Sequence, residues 1–181
     1  MSDAQIVAIA IAAVLVFWMV GAYTRLVELR NAIGAAWQLV DDALRRRGDA
    51  IVPLVAALRG PLAAEHGALD ALLAAQAQVR AAADALGTKP VTAPLVGALI
   101  AAEAAMASAS SRVLALLEQQ GELRFEPGVV PHATALRDGG ARLAFARQLF
   151  NEAGQAYDDA LRQFPTRLLA GLFGFGAAGR L

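Results

Sequence analysis

The pattern of apolar and polar positions changes character near residue 25, and each regime predicts a different kind of helix. Residues 4–24 read AQIVAIAIAAVLVFWMVGAYT, with no charge between Asp3 and Arg25. No face of this run is polar, unlike the amphipathic helices that cover soluble cores. At 1.5 Å per residue, about twenty residues span roughly 30 Å, the hydrocarbon thickness of a bilayer. The run therefore predicts a transmembrane helix. A cleaved leader would need a basic start, a shorter apolar centre and a small-residue end. This chain starts Met-Ser-Asp and ends the run on Phe17, Trp18, Met19 and Tyr23.

From Leu26 onward the apolar residues recur at steps of three and four. Leu26, Leu29, Ile33, Trp37, Val40 and Leu44 form one stripe, which predicts a helix continuing out of the apolar run. Asp41 and Asp42 precede Arg45 and Arg46 by four, the favourable order for surface ion pairs. Gly48-Asp49 then predicts a stop and a restart, with Asp49 as the N-cap of the next helix and Pro53 in its early turns. The second stripe is Ile51, Val55, Leu58, Leu62, Glu65, Leu69, Leu72, Gln76, Val79, Ala83 and Leu86. Its alternating steps are those of a coiled-coil-like seam, and Gly60-Pro61 predicts a kink within it. Glu65 and Gln76 are the polar members of that seam, expected as a buried polar layer or a wet stretch of the interface.

Thr92 and Pro94 predict the start of a third helix, with Leu95, Leu99, Ala102, Met106, Ala109, Val113 and Leu116 as its seam. Gly121 to Pro131 is a longer connection. The last helix, about 133–163, sets Leu136, Leu143, Phe150, Tyr157 and Phe164 seven apart, beside a row of small residues at Gly139, Ala146, Ala153 and Ala160. Such a small row lets another helix approach closely. Phe164-Pro165 ends it. The expected fold class is all-α: an N-terminal transmembrane helix followed by a long antiparallel, up-down four-helix bundle. Three regions follow: an anchor with a short extracytoplasmic N-terminus (1–24), the bundle (25–164) and an apolar, Gly-rich tail (165–181).

Charge sets the expected orientation. Arg25, Arg30 and Arg45 to Arg47 follow the apolar run and no Lys or Arg precedes it. Basic residues stay on the cytoplasmic side, so the bundle is expected in the cytoplasm at the inner membrane, with the N-terminus outside. Trp18, Tyr23 and Arg25 are candidate membrane-interface residues. Counting helices brings the tail back beside Arg25, which adds Phe173 and Phe175 to that set, as an interfacial segment or as a cap on the bundle's own core.

Composition narrows the function classes. The chain has 16 basic and 16 acidic residues, a formal net charge of +0, which gives nucleic acid no cationic surface to meet. It has no cysteine, so disulfides and thiolate chemistry are absent. Neither His66 nor His132 follows a Glu by three, as a bundle di-iron site requires. No metalloprotease, nucleophile-elbow or phosphate-loop motif occurs. No catalytic, cofactor or metal residues are expected, and the chain is not expected to be an enzyme.

Residues 144–175, AFARQLFNEAGQAYDDALRQFPTRLLAGLFGF, resemble the C-terminal signature of the LemA family of bacterial membrane-anchored helical proteins. That signature is an Ala-Arg pair, a tyrosine-asparagine step, and Phe-Pro followed by an A-x-x-F-G-F tail. Arg30-Asn31, Ala36-Trp37, Asp41, Leu44, the arginines at 45–47 and Asp49 resemble its N-terminal signature. The chain departs from the pattern at several places. Pro53 falls one position late, Glu65-His66 inverts the His-Glu order, and Gln76 stands for an arginine. Gly121 stands for a proline, and Gly139-Gly140 lies where an acidic residue is usual. The resemblance implies a divergent, membrane-anchored helical protein with no defined chemistry. Its partners are expected to be the lipid bilayer and other membrane-associated proteins, which it meets as a scaffold or as the accessory subunit of a membrane-bound enzyme or protease.

Overall fold

The computed structural model describes residues 3–163, 167 and 176–181. Among the described residues five α-helices run in order: α1 Asp3–Asp49, α2 Ile51–Leu58, α3 His66–Thr88, α4 Ala93–Gln119 and α5 Val130–Arg162. The chain goes up through α1 and α2, down α3, up α4 and down α5, the up-down four-helix bundle that the stripes predict.

The corner lies elsewhere than expected. Gly48-Asp49 is not a stop, and Asp49 caps nothing. Ala50 keeps helical angles, φ −78° and ψ −20°, and its carbonyl still accepts the Leu54 N–H at 3.3 Å. Gly48 is present for a close approach instead. It is buried, and a Cβ there would lie 2.7 Å from Nε2 of Gln76 on α3. The chain turns at Gly60-Pro61, where the kink was expected. Leu62 leaves the helical region at φ −105°, ψ 43°, and a 3-10 turn over Ala63–Glu65 leads into α3. Proline has no N–H to continue the ladder, so a reversal here is cheap. Arg59 donates to Asp70 at 2.8 Å, and His66 Nε2 donates to the Arg59 carbonyl at 3.0 Å, which brace the corner.

Side-chain pairs fix the antiparallel registers. Between α1 and α3, Arg80 donates to Asp41 at 2.6 Å, and a Cβ on Gly87 would lie 3.2 Å from the Trp37 indole nitrogen. Along α1 and α5, Gly139 faces Arg47, Trp37 meets Phe150 edge to face at 6.2 Å, and Arg25 reaches Gln163 at 3.3 Å. Arg112 on α4 lies 3.8 Å from Glu65, and Arg137 on α5 bonds Glu118 of α4 at 2.6 Å.

One core unites the four helices. Leu26, Ile33, Ile51, Leu54, Leu58, Leu69, Leu72, Leu86, Leu99 and Phe150 have no exposed surface, and Trp37 and Tyr157 are almost as enclosed. Each such side chain contributes about 1.5–3 kcal/mol by leaving water. Ala146, Gly154 and Ala160 keep α5 close to its neighbours. The buried face of α4 differs from the expected seam. It runs Val96, Leu99, Glu103, Met106, Ser110, Val113 and Leu117, so four of the seven positions slip by one residue and a carboxylate enters the core. Thr92 takes the N-cap position of α4 with extended backbone, but its side chain makes no cap hydrogen bond.

Candidate functional site

The segment before Leu26 differs from every other part of the structure. Its apolar side chains touch no bundle neighbour sufficient to bury them: Phe17 is 79% exposed, and Trp18 and Tyr23 are each 44% exposed. The segment belongs to a helical stretch from Gln5 to Leu58 that is long and apolar enough to cross a membrane. α4 meets the same measure of length and composition, but a third of its apolar window is buried in the bundle. Burial separates the two: the α4 window is partly covered by the bundle, and the N-terminal window is not buried at all.

At the end of the bundle nearest that segment, the Arg25 guanidinium donates to Gln163, which joins α1 to the residue that caps α5. The final residues of the chain fold back onto the same end. Asp158 is buried on α5; its carboxylate accepts the Ala178 N–H at 2.8 Å and the Arg180 guanidinium at 2.7 Å. Asn151 brackets Leu181, accepting its N–H and donating to its carbonyl at 2.8 and 2.7 Å. Gly179 donates to the Val91 carbonyl at 3.2 Å, and Ala178 bridges Thr92 in antiparallel fashion. Gly179 is required there. A Cβ would stand 2.5 Å from Val96 Cγ2 and 2.9 Å from Ala93 Cα. Residues 176–181 thus clip α5 to the start of α4. Phe173 and Phe175, expected at the lipid surface or over the core, lie outside the described residues, as does Phe164.

A space of about 350 Å³ sits beside this clip, lined by Arg30, Thr92, Pro94, Tyr157 and Gly176 among others. Burial raises the Tyr157 phenol above its ordinary pKa of 10.0, against the lowering effect of Arg30 and with a smaller push from Asp158.

The polar seam divides. Gln76 lies against Gly48, half-buried between α3 and α1. Glu65 is half-exposed at the far corner, within reach of Arg112 only at 3.8 Å. The two do not meet in one layer. The buried polar layer is elsewhere, at residues the pattern had placed outside. Glu103 on α4 is 4% exposed and pairs with the guanidinium of Arg147 on α5. Arg47 of α1 passes over Gly139, whose absent side chain leaves it room: a Cβ there would lie 3.2 Å from the Arg47 stem. Ser110, 5% exposed, stands two turns along α4 from Glu103. Burial pushes both arginines below their ordinary pKa, and the charge of Arg47 adds to the effect on Arg147. Arg47 and Arg147 stood out in the sequence only within the two family signatures, the arginines at 45–47 and the Ala-Arg pair at 146–147.

A search of curated proteins finds no match to the chain. The LemA family model matches residues 36–180. The match starts within the buried stripe of α1 at Ala36, takes in the half-buried Arg47 and Arg147 and closes on Arg180 of the clip. A match over well more than half of the chain, on an all-α bundle with an apolar leading helix, makes this a member of the LemA family.

Proposed function

We propose that the chain is a single-pass membrane protein whose bundle serves as a cytoplasmic interaction scaffold at the inner membrane face. The observation that carries this reading is the apolar segment ahead of Leu26, unburied along its whole 18-residue window and helical without a break into the bundle. Leaving such a surface in water is unfavourable by about 25 cal/mol per Å² of apolar area, which a bilayer removes. Trp18 and Tyr23 sit at the level of one headgroup layer, and Arg25 lies just beyond it on the basic, cytoplasmic side. In this role the protein holds partners in place and performs no reaction of its own.

Two experiments test it together. A fluorescent protein fused after Leu181 should be bright, while alkaline phosphatase at the same place should be inactive. Removal of residues 1–24 should move the bundle to the soluble fraction. Active phosphatase would reverse the orientation; a truncated chain that still sediments with vesicles would give the membrane contact to the bundle or its tail. An activity-bearing enzyme that co-purifies and slows when this chain is deleted would favour the accessory-subunit reading.

A further inference from the structure

The space of about 350 Å³ beside the clip lies at the end of the bundle nearest the apolar segment, where three helices meet around it. α1 supplies Arg30, α5 supplies Tyr157, and Thr92 and Ala93 begin α4. The register set by Arg25 on Gln163 and by Trp37 on Phe150 places residue 30 level with residue 157. Arg30 stands close enough for its charge to act on the Tyr157 phenol.

Each wall brings a donor without a protein acceptor. Arg30 is exposed and has no ion pair or hydrogen bond among the described residues. Tyr157 is 1% exposed, and its hydroxyl has no partner among them either. The polar atoms that are both unpaired and sealed belong to Arg47, Glu103, Ser110 and Arg147, not to Tyr157. Its Oη therefore keeps open surface, and the space that Tyr157 lines is where it opens. On α4 the Thr92 side chain makes no cap hydrogen bond. The Leu95 and Val96 N–H groups both donate to the Thr92 carbonyl, at 3.1 and 3.2 Å, and Pro94 has no N–H. The Ala93 N–H is left without an acceptor among the described residues. A helix of 27 residues adds its partial positive charge at that point.

No acid offsets these donors. Among the described residues no carboxylate lines the space. Asp158, the neighbour of Tyr157, has both oxygens occupied, one by the Ala178 N–H and the other by Arg180.

We propose that this space is a phosphate site, in which a phosphate ester accepts hydrogen bonds from the Arg30 guanidinium, the Tyr157 hydroxyl and the start of α4. Guanidinium and phosphate match in two parallel hydrogen bonds, and the tyrosine and the helix start approach the remaining oxygens from other sides. The source of the phosphate rests on the anchored reading above. Arg30 lies five residues past Arg25, about 8 Å along the helix, and a headgroup layer is about 5–8 Å deep. A phospholipid phosphate is therefore within reach, and a soluble phosphate ester offers the same chemistry.

The test uses the full chain in an uncharged maltoside detergent and titration calorimetry. The probes are dihexanoyl phosphatidylglycerol, inorganic phosphate and dihexanoylglycerol, which has the same chains and no phosphate. The proteins are the natural chain, Arg30→Gln, Tyr157→Phe and Arg162→Gln. Arg162 is an exposed arginine at the same end that does not line the space, so it controls for general surface charge. Tyr157→Phe keeps the buried ring and removes only the hydroxyl. Phosphatidylglycerol should saturate at one per chain, and dihexanoylglycerol should not saturate. Arg30→Gln should weaken binding at least about tenfold and Tyr157→Phe at least about threefold, while Arg162→Gln leaves it unchanged. Inorganic phosphate that binds within about tenfold of the lipid, with the same losses, assigns the site to a soluble ester; weaker binding than that assigns it to the lipid. The site is overturned if neither phosphate probe saturates, if dihexanoylglycerol binds equally, if Arg162→Gln loses as much as Arg30→Gln, or if Tyr157→Phe binds as before. Orientation is read separately by the fusions after Leu181, so the site and the anchor fail independently.

Discussion

Asp158 holds the end of the chain, and its removal should free that end without unfolding the bundle. Asp158→Ala deletes the acceptor of two hydrogen bonds, from the buried Ala178 N–H and from Arg180. A hydrogen bond to a charged group is worth about 1.5–3 kcal/mol. That range applies to the Ala178 bond, which is enclosed. The Arg180 side chain is 39% exposed, so its ion pair is discounted to no more than about 1 kcal/mol. The sum is about 1.5–4 kcal/mol of docking free energy, or roughly 10- to 1,000-fold in the open population. Amide hydrogen exchange at Gly179 is the suitable readout, because its own acceptor, the Val91 carbonyl, is untouched by the substitution. Gly179 should exchange faster by that factor, while core amides of α1 and α5 keep their protection. The clip is not held by Asp158 if Gly179 exchange is unchanged. It is part of the global fold, and not a local latch, if the core amides speed up equally.

Phe150→Ala should cost about 3–5 kcal/mol, because the ring is fully buried and stands edge-on to Trp37; urea unfolding that shifts by less than about 1 kcal/mol would remove this pair from the core. Tyr157 has a raised pKa when folded, so its contribution is fully present below the unfolded value near 10 and declines as pH rises through the folded value. Melting temperature should therefore fall above pH 10, and Tyr157→Phe should flatten that fall; an unaltered alkaline profile would refute it. Gly179→Val should release the clip by collision with Val96 and Ala93, whereas Gly176→Ala, with nothing within 4 Å, should leave exchange near the clip as it was. Equal effects of the two would place the strain elsewhere.

The stripes on α1 and α5 were legible because large apolar residues alternate there with charges. Trp37, Phe150 and Tyr157 could face only inward. On α4 the signal fails. So many positions are alanine that either of two adjacent stripes fits, and Glu103 tips the choice outward under the rule that carboxylates stay wet. Its partner, Arg147, is 44 residues away in the sequence, and nothing local announces the pairing. The glycines misled for a related reason. Gly48 and Gly139 look like helix weaknesses, yet each admits a long polar side chain from another helix, Gln76 in one case and Arg47 in the other. A breaker and a close approach have the same letter. The clip was invisible because six residues of loop, docked by Asp158 and Asn151, have no period to read.

The absence of a joint between α1 and α2 has a mechanical consequence. From Arg25 to Leu58 the helical stretch is about 50 Å long at 1.5 Å per residue, and its near end continues directly into the apolar segment. The chain is therefore a lever with its fulcrum at Arg25. A 10° change in the direction of residues 5–24 displaces the Gly60-Pro61 corner sideways by about 9 Å, given that length. The other three helices are packed along the shaft and move with it. Reorientation of the first twenty residues is thus reported, amplified, at the opposite end of the bundle.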